Sequence, residues 1–131
     1  MFVWFCKVRM FFSTVFSTIC HCLACKKSTG SAFSPILGIL KTDLNIDRTK
    51  LKKYESLGDS GNPIYRHFCE NCGTTIYGEM STRPNVVFLK VGTLHDSSWF
   101  KPQINTYWEQ HSSWINEINE APKCEGMPKG N

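Results

Sequence analysis

The sequence predicts one β-dominated domain, and three observations lead there. The apolar runs are short and rich in β-branched and aromatic residues, as in Val8 to Ile19 and Val86 to Val91, a composition that favours strand over helix. Glycine and proline punctuate these runs, most strongly at Gly58-Asp59-Ser60-Gly61-Asn62-Pro63, the pattern of many short strands joined by turns. The chain has 131 residues, a hydrophobic fraction of 41% and an aromatic fraction of 13%. That suits one globular core rather than two domains or a disordered segment.

Taken in order, Val8 to Ile19 reads as a strand and leads into a loop of closely spaced cysteines. Ala32 to Leu40 is a second apolar run, and Pro35 marks its start as a sheet edge or a bend because proline has no N–H to give a ladder. Asp43 to Tyr54 fits a strand end and loop with a short helical turn near Asp47 to Lys53. Beyond the turn at 58–63, Ile64 to Phe68 and Thr74 to Gly78 form a hairpin with Cys69-Glu70-Asn71-Cys72-Gly73 at its tip. Gly73 lets the backbone fold back there. Val86 to Val91 is a further strand, ended by Gly92-Thr93-Leu94-His95-Asp96. Ile104 to Trp108 is one more candidate strand, Ser112 to Ile118 a short helical turn, and Trp99, Trp108 and Trp114 are expected in core and rim packing.

The net charge of +4 is mild, and the basic residues are dispersed apart from Lys26-Lys27 and the segment Lys50 to Lys53. No nucleic-acid partner is expected from such a distribution. Lys7 and Arg9 interrupt the apolar N-terminus well before the ~20 residues a membrane span needs, and the charge order is not that of a signal peptide. A soluble, cytoplasmic protein with no membrane partner is the expectation; the oligomeric state is not readable.

Seven cysteines point either to disulfides or to metal. Cys20, Cys22 and Cys25 crowd three thiols into six positions, and Cys69 and Cys72 form a second close pair. Such spacing is poor for separate staples and good for chelation, with sulfur about 2.3 Å from a tetrahedral zinc. Two ligand sets are open. One is a zinc ribbon on Cys22, Cys25, Cys69 and Cys72. The other keeps Cys20, Cys22 and Cys25 together as a three-thiolate site with an exchangeable fourth position and leaves Cys69 and Cys72 to a second zinc. His21, between two thiols, suits a supporting or exposed position better than ligation; His67, His95 and His111 carry no role.

Cys20-His-Cys-Leu-Ala-Cys-Lys-Lys-Ser-Thr-Gly-Ser-Ala-Phe33, Ser60-Gly61, Arg66-His-Phe-Cys-Glu-Asn-Cys-Gly73 and Gly92-Thr-Leu-His-Asp96 together resemble the glutathione-dependent formaldehyde-activating enzyme family, whose domain is shared with centromere protein V. The resemblance covers about residues 19 to 128 and leaves 1–18 as a divergent or truncated N-terminal segment. It implies an Mss4-like (β-tent) fold of small antiparallel sheets with a zinc knuckle. It implies a catalytic zinc on Cys20, Cys22 and Cys25, and a structural zinc shared by Cys69, Cys72 and an N-terminal Cys-X-Cys-Gly. Here that last motif is reduced to Cys6, a possible third ligand, with Cys124 an outside candidate. The activity implied is that of a zinc-dependent carbon–sulfur lyase acting on a glutathione or related thiol adduct. Lys26 and Lys27 would attract the tripeptide's carboxylates, and the turn containing Ser28, Gly30 and Ser31 would offer N–H groups; plain solvent exposure explains the lysines equally well. The alternative is a non-catalytic zinc-binding β-domain that mediates protein interaction.

Overall fold

The structure is a computed structural model that describes residues 9–10 and 14–127. In chain order the elements are β1 (Arg9–Met10), β2 (Thr14–Cys20), α1 (Leu23–Thr29), β3 (Ser34–Leu40), β4 (Leu44–Asn45), β5 (Leu51–Leu57), β6 (Pro63–Cys69), β7 (Thr75–Met80), β8 (Val86–Lys90) and β9 (Ile104–Thr106). Short 3-10 turns occupy Lys41–Asp43, Arg48–Lys50, Val91–Thr93, Trp108–Gln110 and Ile115–Asn119. The chain is mainly β, as expected. Its strands form one seven-stranded sheet in the order β5-β6-β7-β8-β3-β2-β9, and β1 pairs with β4 apart from it. Every contact in the large sheet is antiparallel except β2 with β9.

Pro35 lies inside β3, which has neighbours on both sides. The position tolerates it because Pro35 faces Ile19 of β2, while the ladder to β8 begins only at Ile36. The missing N–H therefore costs no bond to β8.

Directly paired residues share a face and chain neighbours take opposite ones. Leu37, Ile39, Val87, Leu89 and Tyr77 are thus drawn to one face, where with Leu44, Cys69, Ile76 and Val91 they form the buried core cluster. Ile76 and Tyr77 are consecutive yet both buried. The irregular register between His67 and Phe68 lies opposite them, where β7 places one extra residue against β6, and a bulge of this kind re-aims side chains. On the other face, the Phe16 ring lies over Gly38, so close that a Cβ there would sit 2.2 Å from its nearest carbon. Phe88 holds that ring at a centroid distance of 5.4 Å. Gly38 is needed for space, not for backbone freedom.

The β9 edge is fastened to β2 through side chains. Ser17 Oγ donates to the Lys101 carbonyl at 2.7 Å, Gln103 Oε1 accepts from the Ser17 N–H at 2.9 Å, and Thr18 Oγ1 donates to the Ile104 carbonyl at 3.0 Å. Both Ser17 and Thr18 are buried, and these bonds satisfy their polar groups. They bring residues 101–111 alongside the cysteine loop.

On the core face, Glu79 joins Lys41 at 2.5 Å and His67 at 2.6 Å, and His67 stacks on Tyr77 at 4.3 Å. Burial alone raises the Glu79 carboxyl, but the bonds from Lys41 and His67 more than offset it and the net shift is downward. A carboxyl depressed by folding stabilises the fold above its ordinary value of 4.5 and loses that contribution as pH falls through the lower folded value.

Two outcomes test this frame. Gly38→Ala, read by urea unfolding, lowers stability by about 1–3 kcal/mol through overpacking against Phe16; an unchanged midpoint refutes the close approach. Glu79→Gln flattens the loss of stability on acidification below pH 4.5, and near neutrality it costs about 1 kcal/mol. A variant with the parent's full acid slope shows that the ion pair is not formed.

Candidate metal centre

The cysteine segment is a strand end joined to a helix rather than a loop. Cys20 ends β2, and Cys22 is the N-cap of α1, with its sulfur accepting from the Cys25 N–H at 3.3 Å. Cys25 follows in the first turn. Gly30 closes the helix in the left-handed region at φ 61°, a conformation glycine adopts without a Cβ clash. The extended-to-helical switch at Cys22 turns three closely spaced residues inward together. The sulfurs of Cys20, Cys22 and Cys25 all lie within 4.8 Å of one another, with Cys20 buried and the other two half-buried.

That geometry suits a tetrahedral thiophilic ion, since sulfurs about 2.3 Å from a common zinc stand roughly 3.8 Å apart. The protonation pattern points the same way. The Cys20 thiol is held down to about 5, first by a hydrogen bond from Cys25 and further by the Cys22 backbone and Thr106, against the opposing effect of burial. Cys25 is pushed up, chiefly because it donates to Cys20, and burial pushes Cys22 up. Three thiols so close share one negative charge; a cation in their midst removes the conflict.

Lys90 supplies a neighbouring positive charge. The register places it on the sheet face that carries Cys20 and Ser34, and its Nζ donates to Ser34 Oγ at 2.7 Å. Burial lowers its pKa, and the charges of the three cysteines work in the opposite direction. Residues of the β9 segment complete the wall. His21 is only 2% exposed, with Nε2 3.0 Å from Asn105 Oδ1 and its ring set edge-on to Trp108 at 5.0 Å. Nε2–H therefore donates to Asn105, which leaves Nδ1 as an unpartnered buried nitrogen. The Gln110 side-chain oxygen accepts from the Leu23 N–H at 2.9 Å, and its carbonyl accepts from Lys26 Nζ at 2.6 Å. Tyr107, in the left-handed region at φ 55°, donates its hydroxyl to Asp59, and that bond, burial and the nearby thiols all raise its pKa. Asp59 belongs to the β5–β6 turn, so the two ends of the sheet meet beside the thiols.

The residues expected from sequence separate clearly. Cys69 is fully buried at the end of β6, and Cys72 lies 3.1 Å from Thr74 Oγ1 in the turn, where Gly73 has φ 73°. Among the described residues, neither joins the Cys20, Cys22, Cys25 group or gathers a third ligand-type side chain. The four sulfurs of a zinc ribbon are thus not brought together. Cys6 lies outside the described residues, and exposed Cys124 bonds the Gly126 carbonyl at 3.0 Å. No described cysteine is in a disulfide.

The turn expected to receive carboxylates is the last turn of α1 and its C-cap. The N–H groups of Gly30 and Ser31 both reach the Lys26 carbonyl, and Ser28 Oγ donates to the Cys25 carbonyl at 3.1 Å. These groups are committed to the helix, whose C-terminus carries partial negative charge. Of that set, Lys27, Gly30 and Ser31 are exposed, and Lys26 and Ser28 are half-buried. Trp99, Trp108 and Trp114 are 46%, 45% and 52% exposed, so they are not core residues. His111, which had no role from sequence, stacks on Trp108 at 4.2 Å. Lys90 was the residue most open to detection, as a lone charge in the apolar run Val86 to Val91. Asn105, Thr106, Tyr107 and Gln110 gave no such signal, because their proximity depends on the parallel β2–β9 pairing.

Among the described residues, no helix is long and apolar enough to cross a membrane. A family profile described as glutathione-dependent formaldehyde-activating enzyme matches residues 5–110. No curated protein matches the chain. The crystal structure of a Rhodobacter sphaeroides protein superposes with a TM-score of 0.54 at 18% identity, over 77% of this chain and 90% of that one. This likeness establishes a shared fold.

Two predictions follow from the geometry. Asn105→Ala leaves His21 Nε2 buried without its acceptor and costs about 1–3 kcal/mol in thermal or urea unfolding; parent-like stability disproves the bond. After chelation, alkylation at pH 6 modifies Cys20 before Cys22 or Cys25, because only Cys20 has its pKa lowered, to about 5. Mass spectrometry of the modified peptide reads this, and preferential labelling of Cys25 contradicts it.

Proposed function

The chain belongs to the glutathione-dependent formaldehyde-activating enzyme family, and from that premise we propose that it is a zinc-dependent carbon–sulfur lyase acting on a glutathione adduct. The observation that supports this most is the convergence of the Cys20, Cys22 and Cys25 sulfurs within 4.8 Å. Those three residues would hold the zinc. Bound there, it would supply a Lewis acid with one exchangeable position, able to lower the pKa of a thiol or polarise a carbonyl-type oxygen.

The protein's own residues prepare the site in three ways. Cys22 and Cys25 are placed by the start of α1, so their separation from Cys20 is set by backbone rather than by flexible side chains. Three thiolates around a divalent cation leave one net negative charge, and the Lys90 ammonium offsets it. His21, buried next to Cys20 in the chain and set edge-on to Trp108, gives the site an aromatic neighbour. In the reaction type carried by the family's name, the thiol sulfur bonds to the carbonyl carbon while the thiol proton goes to the oxygen. Cleavage runs the same steps in reverse.

The Cys69–Cys72 turn, with Cys6 as a further ligand, is proposed as a structural zinc site. Its glycine-containing turn and the burial of Cys69 favour that role. The exposed Trp99 and Trp114 favour a second reading, a non-catalytic zinc domain that contacts another protein.

The deciding experiment measures zinc stoichiometry and ligand exchange. Cys20→Ser loses one zinc equivalent, and glutathione shifts the visible spectrum of the cobalt-substituted parent. If the variant keeps all its zinc and glutathione leaves the spectrum unchanged, the catalytic reading fails. Turnover of S-hydroxymethylglutathione separates the enzyme from the interaction domain.

A further inference from the structure

A second cluster of charged groups lies on the sheet face opposite the thiols. Lys53, His67 and Tyr77 occupy successive paired positions across β5, β6 and β7, and Tyr77 pairs with Leu89 of β8. Leu89 precedes Lys90, which points to the cysteine side, so the pleat sends the two sets to opposite faces. With Lys41, Arg48 and Glu79 these residues line a cavity of about 330 Å³, near the lower end of the range for small-ligand pockets.

The charges in this cleft do not balance. Lys41, Arg48 and Lys53 face a single carboxylate. Glu79 is already engaged by Lys41 and His67, which leaves Arg48 and Lys53 with no carboxylate partner among the described residues. Lys53 lies over the Tyr65 ring at 4.8 Å, a contact that orients its ammonium and leaves its charge uncompensated. At the base of the cleft, Tyr77 is 1% exposed, with its ring stacked on His67. Tyr77 lines the cavity, and its hydroxyl is a donor that an oxyanion there could use.

We infer that this cleft binds a small tetrahedral oxyanion, of the phosphate or phosphate-monoester class, held by Arg48, Lys53 and the Tyr77 hydroxyl. Two uncompensated cations match a charge near minus two. Donors arriving separately from the Arg48–Lys50 turn, from β5 and from β7 suit three terminal oxygens better than one planar carboxylate. The cavity accommodates a phosphorylated small molecule but no polymer. Neither the family's activity nor the thiol cluster requires such a site, and its occupancy is independent of zinc.

Titration of the full-length chain with inorganic phosphate at constant ionic strength, followed by calorimetry and amide NMR, tests the inference. Phosphate binds saturably and shifts the amides of Lys53 and Tyr77 rather than those of Cys20 to Cys25. Arg48→Ala and Lys53→Ala, both at exposed positions, each weaken binding about tenfold or more. Tyr77→Phe keeps the ring stacked on His67 and weakens it roughly three- to tenfold. Absence of saturable binding, shifts confined to the cysteine segment, variants that bind like the parent, or a preference for succinate over phosphate would each overturn the assignment.

Discussion

The fold is arranged around a local electrostatic problem: three sulfurs held within 4.8 Å of each other. Left as thiols, they crowd one another's protons, so that Cys20 is depressed and Cys25 raised. Backbone geometry enforces the crowding. The end of β2 and the first turn of α1 meet at Cys22, whose extended φ and ψ of −64° and 151° mark the switch between the two regular structures. The switch happens at one residue, and the spacing of the three cysteines brings their side chains to a common point.

The surroundings are built to keep that point closed and partly compensated. Lys90 reaches it from β8, two strands away from β2, because Ile36 of β3 pairs with Lys90 and Ser34 with Cys20. The β9 segment closes the opposite side, fastened by Ser17 and Thr18 through bonds that also satisfy two buried hydroxyls. Buried polar groups here therefore do two things at once: they are satisfied, and they determine where the wall of the site runs. The tie from Tyr107 to Asp59 draws the far hairpin toward the same region. A chain of modest size thereby surrounds its thiol cluster with elements distant in sequence.

The two faces of the sheet carry different chemistry. One gathers sulfur, Lys90 and the aromatic cover of His21 and Trp108, arrangements suited to a soft cation. The other, next to the aliphatic core, carries an excess of hard cations around Glu79 and the Tyr77 hydroxyl. Strand alternation separates the two sets by the thickness of one sheet. The same alternation explains why the apolar run Val86 to Val91 serves both faces, with Leu89 in the core and Lys90 at the thiols.

Much of the local chemistry was legible in the chain. The spacing of Cys20, Cys22 and Cys25, the Cys-X-X-Cys-Gly turn, the hairpin signal at 58–63 and the β-rich composition all act over a few residues, where residue type alone dictates conformation or ligand character. The helix at Leu23–Thr29 was not read from the chain: it is short, it is capped by a cysteine, and no long apolar period marks it. Nor was the part that Gly30 and Ser31 play in closing that helix, where both N–H groups reach the Lys26 carbonyl. Tertiary structure alone decided that Lys90, Asn105 and Gln110 stand at the cysteine segment, that His21 is buried, and that Cys69 and Cys72 lie apart from the other three. The reason is physical: local pattern specifies which side chains alternate, whereas the order and register of strands specify which distant ones meet, and the parallel β2–β9 contact brings together residues more than eighty positions apart.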